Sequence, residues 1–395
     1  MADETIDPEL MATTARRVRR EIDRRRDALV DRLGRFVRLE TPTTEKSSLD
    51  RFARMLAAEC KTVGAKACDI AQPGAGNHVV AHFNSPHRAR PILILGHYDT
   101  VYPLGTLART PFRVRGGRAT GPGTLDMKSG LVIVLAAMEA LRAVGTAPAG
   151  PVICLFTSDE ETGSHHSRAL IERHALASRA ALVIEPAAGL DGRLKTARKG
   201  TGEIELIAYG RQAHAGLHPE LGVNAIDELA MQIVRVRSFN DARAGTTVNA
   251  GVISGGTRSN VIPDRAGVMI DLRVARRNRM GPLERRFRAL RPILPGARLE
   301  IQGGFSRPPM ERTPAVAALF RHARRLGSAC GIRLEEAAVG GASDGNFTAA
   351  LGLPTLDGLG GVGDGAHSPS EFVFVKSIAE RAVLLAMLLA FFPEA

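Results

Sequence analysis

Residues 92–100 read ILILGHYDT, and this stretch decides how the chain is built. Four residues that are β-branched or Leu predict a buried strand, which Gly96 ends. His97 and Asp99 follow at its C-terminal end, and a period of two places both side chains on one side of an extended chain. In an open α/β sheet, ligands bind at that end of the strands. A His backed by a carboxylate is the usual pairing of a metal ligand with the group that orients it. A strand-end His satisfied by a neighbouring Asp is the plainer reading, and on this stretch alone both stand.

The same pattern recurs on either side. Residues 151–157, PVICLFT, predict a second buried strand, closed by the consecutive acids Asp159, Glu160 and Glu161. Residues 180–184 predict a third, closed by Glu185 and Pro186. Between them the loop GPGTLDMKSG (121–130) delivers Asp126 just ahead of an apolar helix over 131–144. A solvated acidic turn explains Glu160 and Glu161 without chemistry, and a helix cap explains Asp126. Three strands that each present acids or a His at one end are harder to explain so. Like charges gathered at buried strand ends are costly unless a cation neutralises them.

Upstream, apolar spacing predicts helices over 22–39 and 49–63, then a strand over 77–83. From about residue 199 the texture changes. Strand 201–208, helix 225–236, strands 246–253 and 266–274, helix 282–290 and strand 297–301 follow in β-α-β-β-α-β order, the order of a ferredoxin-like module. It reads as an insertion, because residues 306–395 return to helices (314–326, 340–351, 377–391) and a strand (354–356). His367 lies in a Gly-rich loop of that last part, where ligand and surface residue are equal readings.

Composition removes several classes. The chain has 395 residues, 44% of them hydrophobic, enough for more than one domain. No apolar run is long enough to cross a bilayer, and the N-terminal MADETIDPEL lacks a secretory pattern, so a cytoplasmic protein is expected. The four cysteines are scattered without CxxC spacing and read as buried apolar residues. The net charge of +12 draws on an arginine-rich segment at 16–26, a nucleic-acid arm or a solvated helix face. Interleaved acids and an aromatic content of 4% without Trp favour the helix face, with no nucleic-acid partner expected.

Taken together the motifs GHYDTV (96–101), GPGTLDMKSG (121–130), SDEETGS (158–164), IEP (184–186), GRQAHAG (210–216), SNVIP (259–263), DLR (271–273) and GDGAHS (363–368) resemble a family. It comprises the di-zinc metallopeptidases that include glutamate carboxypeptidase, acetylornithine deacetylase and succinyl-diaminopimelate desuccinylase. The run RKGTG at 198–202 is most similar to the glutamate-carboxypeptidase-like branch.

The resemblance implies an α/β fold, a mixed-sheet zinc-peptidase catalytic domain (1–198 and 306–395) carrying an inserted ferredoxin-like α+β lid and dimerisation domain (199–305). It implies two Zn2+ per subunit, with Co2+ or Mn2+ as substitutes. Asp126 would bridge them, His97 and Glu185 completing one site, Glu161 and His367 the other. Asp99 would orient His97, and Glu160 would be the general base. His214 would reach a partner subunit's active site in a homodimer formed through 199–305, and Asn260 and Arg273 would hold the substrate's carboxylate. The implied reaction is hydrolysis of an amide beside a free carboxylate, on a small peptide or an N-acyl amino acid. A deacylase of the acetylornithine deacetylase or desuccinylase type is the alternative, and a non-catalytic binding protein a remote one.

Overall fold

A computed structural model describes residues 7–393; residues 1–6 and 394–395, which the reading placed at the two ends of the catalytic domain, lie outside the described residues. The chain divides into two compact units, one running up to Ala197 and resuming over Arg312–Val339 and from Ser343, the other Arg198–Glu311 with Gly340–Ala342.

The first unit is built on a six-stranded mixed sheet. Its order is Lys66–Ile70, His78–Phe83, Val152–Thr157, Ile92–His97, Ala180–Val183, Thr355–Leu356. The last four are mutually parallel, and His78–Phe83 runs antiparallel to both of its neighbours, Lys66–Ile70 and Val152–Thr157. The central strands are buried on both faces, as expected of strands with helices on either side. Alternation then sends their residues into two cores. Ile92, Ile94, Cys154, Phe156, Ala180 and Leu182 join the larger, while Leu93, Leu95, Ile153, Leu155, Ala181 and Val183 join the smaller.

The larger core is closed by helices that include Pro8–Arg24, Arg26–Arg38, Lys46–Thr62, Ser129–Ala143 and Val375–Ala390. The smaller lies under Arg168–Ala177 and Gly345–Ala350. The arginine-rich segment belongs to Pro8–Arg24, started by Pro8 and capped by Asp7, whose side chain accepts from the Glu9 N–H at 2.9 Å. Thr14, Ala15, Val18 and Ile22 bury one face of it while Arg24 and Arg25 pair with Glu21 on the other, so the segment is a packed amphipathic helix. The break at Arg25 divides what the spacing joined into one helix from Ile22.

The second unit is a four-stranded antiparallel sheet ordered Thr247–Gly255, Arg265–Val274, Gly200–Tyr209, Arg298–Arg307. The helices Ala225–Arg237 and Met280–Arg288 supply Leu229, Leu283 and Phe287 to its core, against Ile204, Leu206, Ile270 and Leu272. Chain order and strand order are those of a ferredoxin-like fold. Asn224 starts the first helix by accepting from the Ile226 and Asp227 N–H groups.

No described helix is long and apolar enough to cross a membrane. The four cysteines are free, and Cys68, expected to be buried, is exposed on the outermost strand.

Candidate metal centre

The parallel strands Val152–Thr157, Ile92–His97 and Ala180–Val183 lie side by side and end together. Their C-terminal ends therefore bring His97, the acids after Thr157 and Glu185 to one edge of the sheet. Close packing at this edge requires glycine: a Cβ on Gly96 would sit 2.7 Å from Ile184 Cγ1 and 2.8 Å from Met127 Cε. The strand in fact runs through Gly96 to His97 instead of ending at the glycine.

His97 is buried, and its two ring nitrogens face different partners. Nδ1 lies 3.3 Å from Asp99 Oδ1 and 3.1 Å from the Asp99 carbonyl. Nε2 lies 3.2 Å from Asp126 Oδ1 and 3.5 Å from Glu185 Oε1. Asp99 is itself locked in place. It accepts from Thr43 Oγ1 at 2.8 Å and from the Glu160 and Glu161 N–H groups at 3.3 and 3.2 Å. One buried carboxylate thus orients the imidazole and fixes the turn that carries the acids.

The other oxygen of Asp126 faces the second histidine. His367 Nε2 lies 3.5 Å from Asp126 Oδ2 and 3.3 Å from Glu161 Oε2. Asp126 therefore stands between two His–acid pairs, His97 with Glu185 and His367 with Glu161. Ligand atoms of His97, Asp126 and Glu161 lie within 4.8 Å of one another.

The three consecutive acids have separate tasks. Asp159 turns inward and caps the following segment, accepting from the His166 and Ser167 N–H groups at 2.7 and 3.2 Å. Glu160 is buried, and Glu161 faces His367.

The electrostatics of the cluster are strained in opposite directions. Burial pushes Glu161 up to about 7 against the pull of His367 and His97, with Asp126 and Glu160 adding to the rise. Ion pairs with Asp126 and Glu161 raise His367 to about 10. Burial disfavours charge on His97, but Asp126, Asp99 and Glu185 outweigh it and hold the imidazolium well above its ordinary pKa. Burial likewise opposes ionisation of Asp126, yet His367 and His97 keep its carboxyl well below the usual range.

The Nε2 atoms of His97 and His367 each face two carboxylate oxygens, His97 those of Asp126 and Glu185 and His367 those of Asp126 and Glu161. Imidazole and carboxylate oxygens are the donors that zinc and similar divalent ions take, so the residues fit such ions.

The other expected site residues lie on the second unit. His214 is exposed, its Nδ1 accepting from the Gly216 and Leu217 N–H groups at 3.1 Å each. Its short strand pairs with Val261–Ile262, and the Asn260 carbonyl accepts from the Ala215 N–H, so His214 and Asn260 share one small ribbon. Arg273 is partly engaged. Its guanidinium donates to Asp271 at 2.9 and 3.3 Å and to the Gly340 carbonyl at 2.8 Å.

Sequence reasoning did not single out Thr43 or Glu371. Glu371 is buried and accepts four hydrogen bonds, three of them from the peptide groups around Asp126. An acid between Ser370 and Phe372 carries no spacing that would have revealed this.

Residues 93–390 match the model of peptidase family M20/M25/M40. The chain is 31% identical to carboxypeptidase G2 of Pseudomonas sp. (strain RS-16) over 92% of its length and 88% of that relative. It is 28% identical to a succinyl-diaminopimelate desuccinylase of Dechloromonas aromatica, over 74% of this chain and 81% of the other.

Among solved structures, the aminopeptidase PepT of Bacillus cereus superposes with a TM-score of 0.77 at 21% identity, covering 92% of this chain and 98% of that one. YXEP of Bacillus subtilis, described as a dinuclear metal binding peptidase, gives 0.69 at 14% identity, over 92% and 97%. At these identities the structures speak for the fold; the family match and the carboxypeptidase G2 relative speak for descent. The chain belongs to peptidase family M20/M25/M40 and is a hydrolase of amide bonds.

Proposed function

We propose that the protein is a di-zinc exopeptidase of the glutamate-carboxypeptidase type, cutting an amide beside a free carboxylate. The observation that carries this is the placement of Asp126, with one carboxylate oxygen toward His97 and Glu185 and the other toward His367 and Glu161. Likeness to carboxypeptidase G2 over most of both chains supports the exopeptidase over the deacylase.

In this reading His97, Asp126 and Glu185 hold one cation, and Asp126, Glu161 and His367 the other. Two such ions supply Lewis acidity toward the amide carbonyl and make a water acidic near neutral pH. Glu160 takes the proton of the attacking water and returns it to the leaving amine. Asp99 keeps His97 in the tautomer that presents Nε2, since its carboxylate and carbonyl oxygens both face Nδ1. Arg273, with three of its five donors held, offers the remaining N–H groups of a pre-oriented fork to the substrate's carboxylate, aided by Asn260. His214 stabilises the oxyanion in the active site of a second subunit.

That last role requires a homodimer through residues 199–305. The edge strand Thr247–Gly255 supports it, with Val252 and Ile253 exposed on an unpaired side of the sheet. A monomer mass by light scattering of the active protein would remove His214 from the mechanism.

The substrate class is tested by amine release from N-acylglutamates, simple dipeptides, N-acetylornithine and N-succinyl-diaminopimelate. Fastest turnover of substrates with C-terminal glutamate is expected. Preference for N-acetylornithine or the succinylated substrate would move the protein to the deacylases, and no turnover by zinc-loaded protein would contradict the reading.

A further inference from the structure

We infer that Glu371 is a positioning residue for the metal centre, its buried carboxylate fixing the backbone of Asp126 and tying it to the turn that carries His367. The inference rests on the two-cation reading of that site.

Each oxygen of Glu371 is met by two donors. Oε1 accepts from the Leu125 and Asp126 N–H groups at 2.7 and 2.9 Å. Oε2 accepts from the Gly123 N–H at 2.9 Å and from Tyr102 Oη at 2.7 Å. The loop it grips turns on Gly121 and Gly123, both at positive φ. Buried peptide N–H groups need acceptors, and here one side chain supplies three of them.

The other end of the link is equally fixed. Glu371 lies four residues beyond His367, itself at a left-handed φ of 62°. Between them the Ser368 N–H and Oγ bond the Gly365 carbonyl, the Ser370 N–H bonds Ser368 Oγ, and the Glu371 N–H bonds the Ser368 carbonyl. Tyr102 Oη lies 3.0 Å from that Ser368 carbonyl as well as against Glu371. A continuous chain of hydrogen bonds thus joins the peptide of Asp126 to the turn of His367.

Asp126 would serve both cations and His367 only one. Loosening Glu371 should therefore weaken the site of Glu161 and His367 more than that of His97 and Glu185. A residue that merely stabilised the fold would not separate the two.

The test is competitive titration of Zn2+, against a chromophoric chelator, into metal-free wild type, Glu371→Gln and Tyr102→Phe, with near-ultraviolet circular dichroism to confirm folding. Glu371→Gln keeps the shape but turns an amide NH2 toward two donors. One of its two sites should weaken by roughly 10–100-fold, as on loss of an outer ligand-orienting group, with the other changed less. Excess zinc should restore most of its kcat. Tyr102→Phe removes one donor and should shift the same site in the same direction by a smaller factor. It decides the matter if Glu371→Gln does not fold.

Wild-type affinity at both sites in the folded variants would overturn the positioning role and leave the two-cation reading intact. A wild-type protein that takes up no zinc would overturn both.

Discussion

Glu160→Gln is expected to lower kcat/KM by roughly 10²–10⁴-fold while zinc content stays at the wild-type level, the usual cost of losing a positioned general acid–base. At 1.36 kcal/mol per decade this is about 3–5 kcal/mol of transition-state stabilisation. The two halves of the prediction separate the acids at 159–161. Asp159 spends one oxygen on the His166 and Ser167 N–H groups and Glu161 lies against His367, whereas the proposed mechanism gives the proton transfer to Glu160. Glu161→Gln should lose metal as well as rate. Steady-state kinetics with elemental analysis on both variants distinguishes them. Zinc loss in Glu160→Gln equal to that in Glu161→Gln would make Glu160 a ligand and leave the base unassigned.

Asp126→Asn is expected to abolish turnover and to bring zinc from about two per chain to below about one, because both ions of a two-metal site share the bridging carboxylate. His367→Ala and Glu185→Ala should each cost chiefly one ion. Thermal melting offers an independent reading. A ligand present at a hundredfold excess over its Kd stabilises the folded state by about 2.7 kcal/mol per site, and Asp126→Asn should show little of this zinc-induced rise. Zinc content in Asp126→Asn equal to that of wild type would show that Asp126 bridges nothing.

Much of this site is legible in the sequence because its geometry is a property of strands. Parallel strands buried on both faces are continuous apolar runs, and whatever follows them lands on one edge, so His97, Glu160, Glu161 and Glu185 announce themselves. Asp126 and His367 are less legible, since both sit in Gly-rich loops where periodicity gives no face. Glu371 is illegible for a different reason: its partners are peptide N–H groups, which every residue except proline carries.

The same reasoning explains the elements the sequence concealed. Lys66–Ile70 is an outer strand of mostly exposed residues without apolar alternation. Arg168–Ala177 buries only Ile171 and Ala175, too few to mark a helical stripe. The ferredoxin-like unit was readable in order and type because each of its elements carries its own period. Arg273 was readable as a residue in the DLR motif, but its bond to Asp271, two positions earlier on the same strand face, became visible only in three dimensions.

The most direct test of the central claim is anomalous diffraction from crystals of the zinc-loaded protein, recorded above and below the zinc edge. Two peaks per chain flanking the Asp126 carboxylate are predicted, one against His97 and Glu185 and the other against Glu161 and His367. A single peak, or zinc held by other residues, would contradict the account.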